Sequence, residues 1–317
     1  MAFATLVKNQ TLLVLSANMP MFDLETPKNH NCMDNIIRPK GQLLIIGGHE
    51  DKGEVPGENL TIHRKNRLRS HFEILGTLIS KIPRTHHIIE IIPTASSIPE
   101  EMEQLYANAY KAVGFTHVGF IKVADAADAA NPDYIRRIQN AHAIFFTGGD
   151  QSQLVSRFAG TPLLIAISKK YYADEHYIVG GTSAGAMALP ETIITGGTIR
   201  EALYKEDIRM STGMGLIKNL IVDTHFIKRG RFARLAHAVA LHQACIGVGL
   251  EEDTALIIKE GYKAECIGSG MVVVIDGTKI TATNAATVND TTPIVMDNLR
   301  VSILAEGSCY NFSNPTV

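Results

Sequence analysis

The pentapeptide Gly181-Thr182-Ser183-Ala184-Gly185 sets a serine hydroxyl among small residues. It follows the apolar run 177–179 and precedes a helix-forming stretch at 184–189, which predicts a sharp strand-to-helix turn presenting Ser183. At such a helix N-terminus free N–H groups, that of Ala184 first, favour a developing oxyanion. The turn brings the backbone of Gly181 and Gly185 together, so a larger side chain at either position would clash. Taken alone the pentapeptide also fits a Gly-rich turn with an idle serine or a bound phosphate, so partners elsewhere decide.

Two later strand ends offer those partners. His225 follows an apolar run ending at Asp223, and Glu252 stands among three consecutive acids that close the run 246–250. A hydroxyl, an imidazole and a carboxylate are what serine acyl transfer needs: nucleophile, base, and a group that orients the base. Their order in the chain, Ser then His then acid, separates them from the Ser, acid, His order of α/β-hydrolases. Arg229, Arg231 and Arg234 fall within six residues just after the candidate base. They predict a carboxylate clamp, because guanidinium forks bind carboxylates bidentately, although an exposed basic helix start has the same composition. Glu50, Asp51, Asp150 and Asp223, all near strand ends, are candidates for an anionic wall. His86-His87 and the His237/His242 pair lack carboxylates at ligand spacing, so neither a metal nor a cofactor is expected.

The elements that must position these groups alternate in type. Apolar runs at 42–46, 87–92, 117–123, 143–147 and 177–179 read as buried strands, and helices are predicted at 67–78, 99–110, from 132, from 152 and from 184. Ser97 with Glu100 has the spacing of a capping box, with Pro99 in the first turn. This alternation predicts an α/β fold with a largely parallel sheet and helices on both faces, its ligand site beyond the strands' carboxyl ends. Gly47-Gly48 after the first strand lacks the third glycine of a dinucleotide fingerprint, and acids follow it, so a nucleotide site is disfavoured. Residues 192–214, rich in Gly and Thr, read as a long irregular loop. Runs at 271–275, 280–282 and 300–304 read as C-terminal β-hairpins.

The chain has 317 residues, a net charge of −2 and no apolar run long enough to span a bilayer, so nucleic-acid and membrane partners are not expected. Residues 1–40 lack periodicity and read as an N-terminal extension, an edge strand or dimer arm, on a single catalytic α/β domain at 41–317. The short apolar run near Leu13 is soon interrupted by polar residues, and the four cysteines are widely spaced. Both point to a cytoplasmic protein with reduced thiols.

Four motifs together, Phe145-Phe146-Thr147-Gly148-Gly149-Asp150-Gln151, Gly180 to Ala186, Asp223-Thr224-His225-Phe226 with the arginines after it, and Gly247 to Ala255, resemble the cyanophycinases. That group lies in the serine peptidase family that includes aspartyl dipeptidase (peptidase E). The resemblance spans about 41–280 and implies a fold similar to class I glutamine amidotransferases, usually as a homodimer. It implies an exopeptidase that hydrolyses cyanophycin, a poly-aspartate carrying arginine on each β-carboxyl, to β-Asp-Arg dipeptides. On this reading Ser183 is nucleophile, His225 base and Glu252 the orienting acid. Gln151, Arg229, Arg231 and Arg234 line the substrate site, and the N–H groups of Gly149 or Asp150 and of Ala184 form the oxyanion hole. Thr224 stands where the cyanophycinase pattern has glutamine, which bears on substrate preference. A peptidase for other aspartyl or isoaspartyl peptides, and a non-catalytic binding protein of the same fold, are the alternatives.

Overall fold

Runs of Ile, Leu, Val and Phe form strands whose alternate residues enter two different cores. The computed structural model describes residues 37–52, 72–82, 87–197, 203–204, 207–289 and 292–312. Five strands, β1 (Gln42–Ile46), β2 (Ile88–Ile92), β3 (His117–Phe120), β4 (Ala143–Phe146) and β5 (Ile178–Thr182), pair in parallel. On β1, Leu44 and Ile46 enter a core shared with helices α1 (Glu73–Ser80) and α2 (Pro99–Ala112), while Leu43 and Ile45 enter the opposite one. That second core takes up α3 (Pro132–Asn140), α4 (Gln151–Phe158), α5 (Pro162–Ala173) and α6 (Ala184–Ala188). Strands covered on both faces explain why apolar runs, rather than alternation, mark them in the sequence.

Two further strands follow β5 as β6 (Thr192–Gly197) and β7 (Ile208–Thr212), an antiparallel ribbon where an irregular loop is predicted. Its β-branched residues at 192–194 pair in register, Thr195 is the extra residue of a bulge, and pairing resumes at Gly196 and Gly197. Glycine and threonine there mark a bulged ribbon rather than loop chemistry. Residues 198–202 and 205–206 of that stretch lie outside the described residues, as do His86 and Arg67.

The chain continues as β8 (Leu220–Thr224), α7 (Phe232–Leu241), β9 (Ile246–Leu250), β10 (Thr254–Lys259), β11 (Lys263–Gly268) and β12 (Val272–Asp276). It finishes as β13 (Ala282–Thr283), β14 (Met296–Asp297), β15 (Arg300–Leu304) and β16 (Cys309–Asn311). The large sheet runs β16-β11-β10-β1-β5-β4-β2-β3, with β10, β11 and β16 antiparallel; a second runs β15-β12-β9-β8. The expected α/β class, mostly parallel sheet and C-terminal antiparallel strands are therefore present, although β10 and β11 were not anticipated. The capping box at Ser97 does not form. Pro99 keeps Ile98, the actual N-cap, out of the helical region (φ −130°, ψ 62°), and the Ile98 N–H donates to Ser96 Oγ instead.

Candidate active site

Ser183 stands between β5, buried along its whole length, and the five-residue α6, with φ 51° and ψ −117°. That backbone is costly for a residue with a Cβ, typically ~1–3 kcal/mol, and persists only where surroundings over-determine it. Here a Cβ on Gly181 would lie 2.7 Å from the Gly185 backbone, the close approach the turn requires. The elbow points Ser183 Oγ at His225, whose Nε2 is 2.9 Å away; His225 Nδ1 is 2.8 Å from Glu252 Oε1.

These side chains come from two sheets, and the turn after β1 ties them together. Three successive carbonyls accept one N–H from each: Ile46 O from Ser183 (3.0 Å), Gly47 O from His225 (3.0 Å) and Gly48 O from Asp253 (2.9 Å), the neighbour of Glu252. Gly48 is also the floor under the imidazole, since a Cβ there would sit 2.4 Å from His225 Cε1. The glycine pair thus holds a hydrogen-bonded chain in place.

The three consecutive acids take three different partners. Glu251 accepts the N–H groups of Ile227 (2.6 Å) and Lys228 (3.1 Å), Asp253 accepts the Ser269 hydroxyl (2.6 Å), and Glu252 faces His225. Lys228 Nζ donates to both Glu252 oxygens, at 2.9 and 2.8 Å, and His49 Nε2 lies 3.7 Å from Oε1. Neither Lys228 nor His49 was singled out in the sequence; each adjoins a residue that was.

The arginine clamp divides. Arg234 is buried, donating from Nε (2.8 Å) and from its Nη2 (2.5 Å) to Asp223, and Arg231 donates to Asp223 (2.9 Å) and to Thr224 O (2.8 Å). Arg229 is exposed, and among the described residues its guanidinium has no hydrogen-bond partner. The anionic wall needs correcting in the same way. Asp223 is fully buried against its arginines, and Glu50 is buried behind the elbow, accepting from Tyr106 Oη (2.6 Å) and Thr182 Oγ1 (2.6 Å) beside Lys52 Nζ (3.2 Å). Thr224, expected on the substrate side, is also fully buried and donates to Met187 Sδ. Asp223 and Thr224 are buried because β8, which carries both, is covered on both faces.

Asp150 remains exposed and caps α4 by accepting from Ser152 N–H at 2.8 Å; Asp51 is half-buried and accepts from Phe72 N–H. Half-buried Gln151 donates to Ile194 O at 2.7 Å. The Asp150 N–H is itself committed to Ala95 O at 2.9 Å, so it is not a free oxyanion donor. Gly149, and Ala184 at the first turn of α6, remain as candidates, the latter because first-turn N–H groups lack intrahelical acceptors.

Residues 60–266 match the profile of peptidase family S51. The chain belongs to that family. It is 34% identical over 272 residues to the cyanophycinase of Synechococcus elongatus, covering 86% of this chain and 79% of that protein. The cyanophycinase of Geminocystis herdmanii is likewise 34% identical over 272 residues, 86% of this chain and 94% of its own. A solved peptidase from an acI-B1 Actinobacterium shares the fold, with TM-score 0.59 and 23% identity over 87% of this chain and 98% of that one. The protein is accordingly a serine-type peptidase.

In this family member the electrostatics suit base catalysis. Burial pushes the His225 imidazole pKa down and outweighs the Glu252 hydrogen bond that pushes it up; the Arg229 charge pushes it further down. A net value below the ordinary 6.5 leaves the ring neutral near neutral pH. Burial pushes the Glu252 carboxyl up, and hydrogen bonds from Lys228 and His225 more than offset this, so it stays ionised. With the carboxylate accepting from Nδ1–H, Nε2 is left as an acceptor facing the Ser183 hydroxyl.

Proposed function

We propose that this peptidase hydrolyses cyanophycin to β-Asp-Arg dipeptides through a Ser183 acyl-enzyme, acting as a cytoplasmic homodimeric exopeptidase with residues 41–317 as its catalytic domain. The observation that carries the reading is the hydrogen-bonded chain from Ser183 through His225 to Glu252, in a chain 34% identical to cyanophycinases. Nε2 of His225 takes the Oγ proton as Oγ attacks the scissile carbonyl, and the carboxylate of Glu252 stabilises the imidazolium. The N–H groups of Gly149 and Ala184 receive the oxyanion. His225 then protonates the leaving amine, and water, activated by the same ring, releases the acyl group.

A β-Asp-Arg unit carries carboxylates and a guanidinium, so its site needs both signs of charge. Arg229, the exposed arginine, supplies the cation, and the exposed Asp150 is the acid that faces the guanidinium. Incubation with insoluble cyanophycin followed by mass analysis tests this, a dipeptide of aspartate and arginine being the expected product. Release from other aspartyl or isoaspartyl peptides alone would shift the substrate assignment. No labelling of Ser183 by a fluorophosphonate would make the chain a binding protein.

Two further outcomes follow from the charges. The acid limb of kcat/KM should have its midpoint below 6.5, because hydrolysis needs neutral His225 and its folded pKa is lowered. Lys228→Met should move that midpoint upward, since an unshielded Glu252 carboxylate holds the imidazolium more strongly. An unmoved limb would show that Lys228 does not act through Glu252. Arg229→Ala should raise KM by about tenfold or more with a smaller change in kcat, as loss of a charged hydrogen bond costs about 1.5–3 kcal/mol. Both constants should be read above the acid limb, because Arg229 also lowers the His225 pKa.

A further inference from the structure

We propose that His49, His225 and Glu252 form an inhibitory site for a divalent transition ion of the zinc type. One ring nitrogen from each histidine and one Glu252 oxygen lie within 4.8 Å of one another. His49 Nε2 is 3.7 Å, and His225 Nδ1 is 2.8 Å, from the same oxygen, Oε1. Two imidazoles and a carboxylate are a donor set zinc accepts, with water in the fourth position. Bonds of about 2.0–2.2 Å place tetrahedral ligands roughly 3.4 Å apart, so only small adjustments separate the present positions from coordination. The adjustable member is His49: its side chain is 67% exposed, and its ring meets the His225 ring edge-on at a centroid separation of 5.5 Å.

Coordination there is incompatible with base catalysis. The ion takes the Nδ1 lone pair of His225, and the single proton of the neutral ring moves through solvent to Nε2. The ring stays neutral and no proton is lost overall, but Nε2 now donates toward Ser183 and cannot accept the hydroxyl proton. Glu252 offers Oε1 to the ion while Lys228 keeps its bond to Oε2 at 2.8 Å. The ammonium opposes the ion's charge, which favours reversible binding.

The inhibitory consequence rests on the hydrolase reading above; the metal site does not. His49→Asn removes the outer ligand and suits the left-handed backbone there, φ 47°. Zinc titrated calorimetrically into metal-free full-length protein is expected to bind one ion per chain. His49→Asn should weaken that binding by ~10-fold or more, since even loss of a metal's outer-shell partner costs about 10–100-fold. Zinc should inhibit cyanophycin hydrolysis, and EDTA should restore it. Measured against its own rate in metal-free buffer, His49→Asn should need ~10-fold more zinc for half-inhibition than the wild type does. No binding, or equal binding by both proteins, overturns the site. His49-dependent binding with undiminished hydrolysis overturns the inhibitory role. Absence of hydrolysis even without zinc counts against the peptidase substrate reading, and the calorimetric comparison still decides the site.

Discussion

Ser183→Ala is expected to lower kcat on cyanophycin by about 10⁴-fold or more while leaving the protein folded, because in the proposed mechanism its hydroxyl is the nucleophile and its loss removes the covalent route. The retained fold has a structural reason. The elbow is held by the Ser183 N–H bond to Ile46 O and by the contact of Gly181 with Gly185, neither of which involves the hydroxyl. Alanine faces the same positive φ as serine, so the backbone strain is unchanged. Single-turnover hydrolysis and a thermal melt of the two proteins check this. Turnover within tenfold of wild type would remove Ser183 from the chemistry and, with it, the acyl-enzyme.

Asp223→Ala should have the largest effect on stability. Asp223 has no exposure and accepts from both Arg231 and Arg234, so its loss leaves two guanidinium groups without their shared counter-ion. Breaking a buried ion pair by removing one partner costs about 3–5 kcal/mol. Burial already pushes the Arg231 pKa down, and Asp223 is the charge that opposes it, so the sign is clear. Urea unfolding should show the loss as a lower midpoint at similar slope. Arg234→Met in the same chain should recover part of it, a coupling that a double-mutant cycle measures directly. A loss below 1 kcal/mol would mean the cluster is solvated rather than interior. Activity should fall as well, because the same strand end carries His225.

The consequence for the site is that two of the three arginines are structural. Spacing alone grouped Arg229, Arg231 and Arg234, since three arginines in six residues have the composition of a clamp whichever way they point. Helical turn geometry separates them: Arg234 lies inside α7, where its side chain runs back to the end of β8, and Arg229 lies before the helix and faces solvent. The acids at 251–253 show the same limit. Composition offers three candidates for one role, and local backbone direction distributes them among a turn, an imidazole and a serine.

Local chemistry, then, was enough to single out Ser183, His225 and Glu252 as candidates, which the fold brings within hydrogen-bonding distance of one another, and to read the α/β class from apolar runs set between helices. Those signals depend on neighbours within a few residues: a glycine-flanked elbow, a strand end, a hydrophobic period. Whether Glu50, Asp223 and Thr224 meet a substrate or the interior depends on elements more than a hundred residues away in one case, such as Thr182 packing on Glu50. The role of Gly47-Gly48 as the clasp joining two sheets, and the convergence of His49 and Lys228 on Glu252, depend likewise on which strand ends become neighbours. Only folding sets that, because a hydrophobic pattern marks which residues are buried but not which distant strand they pair with.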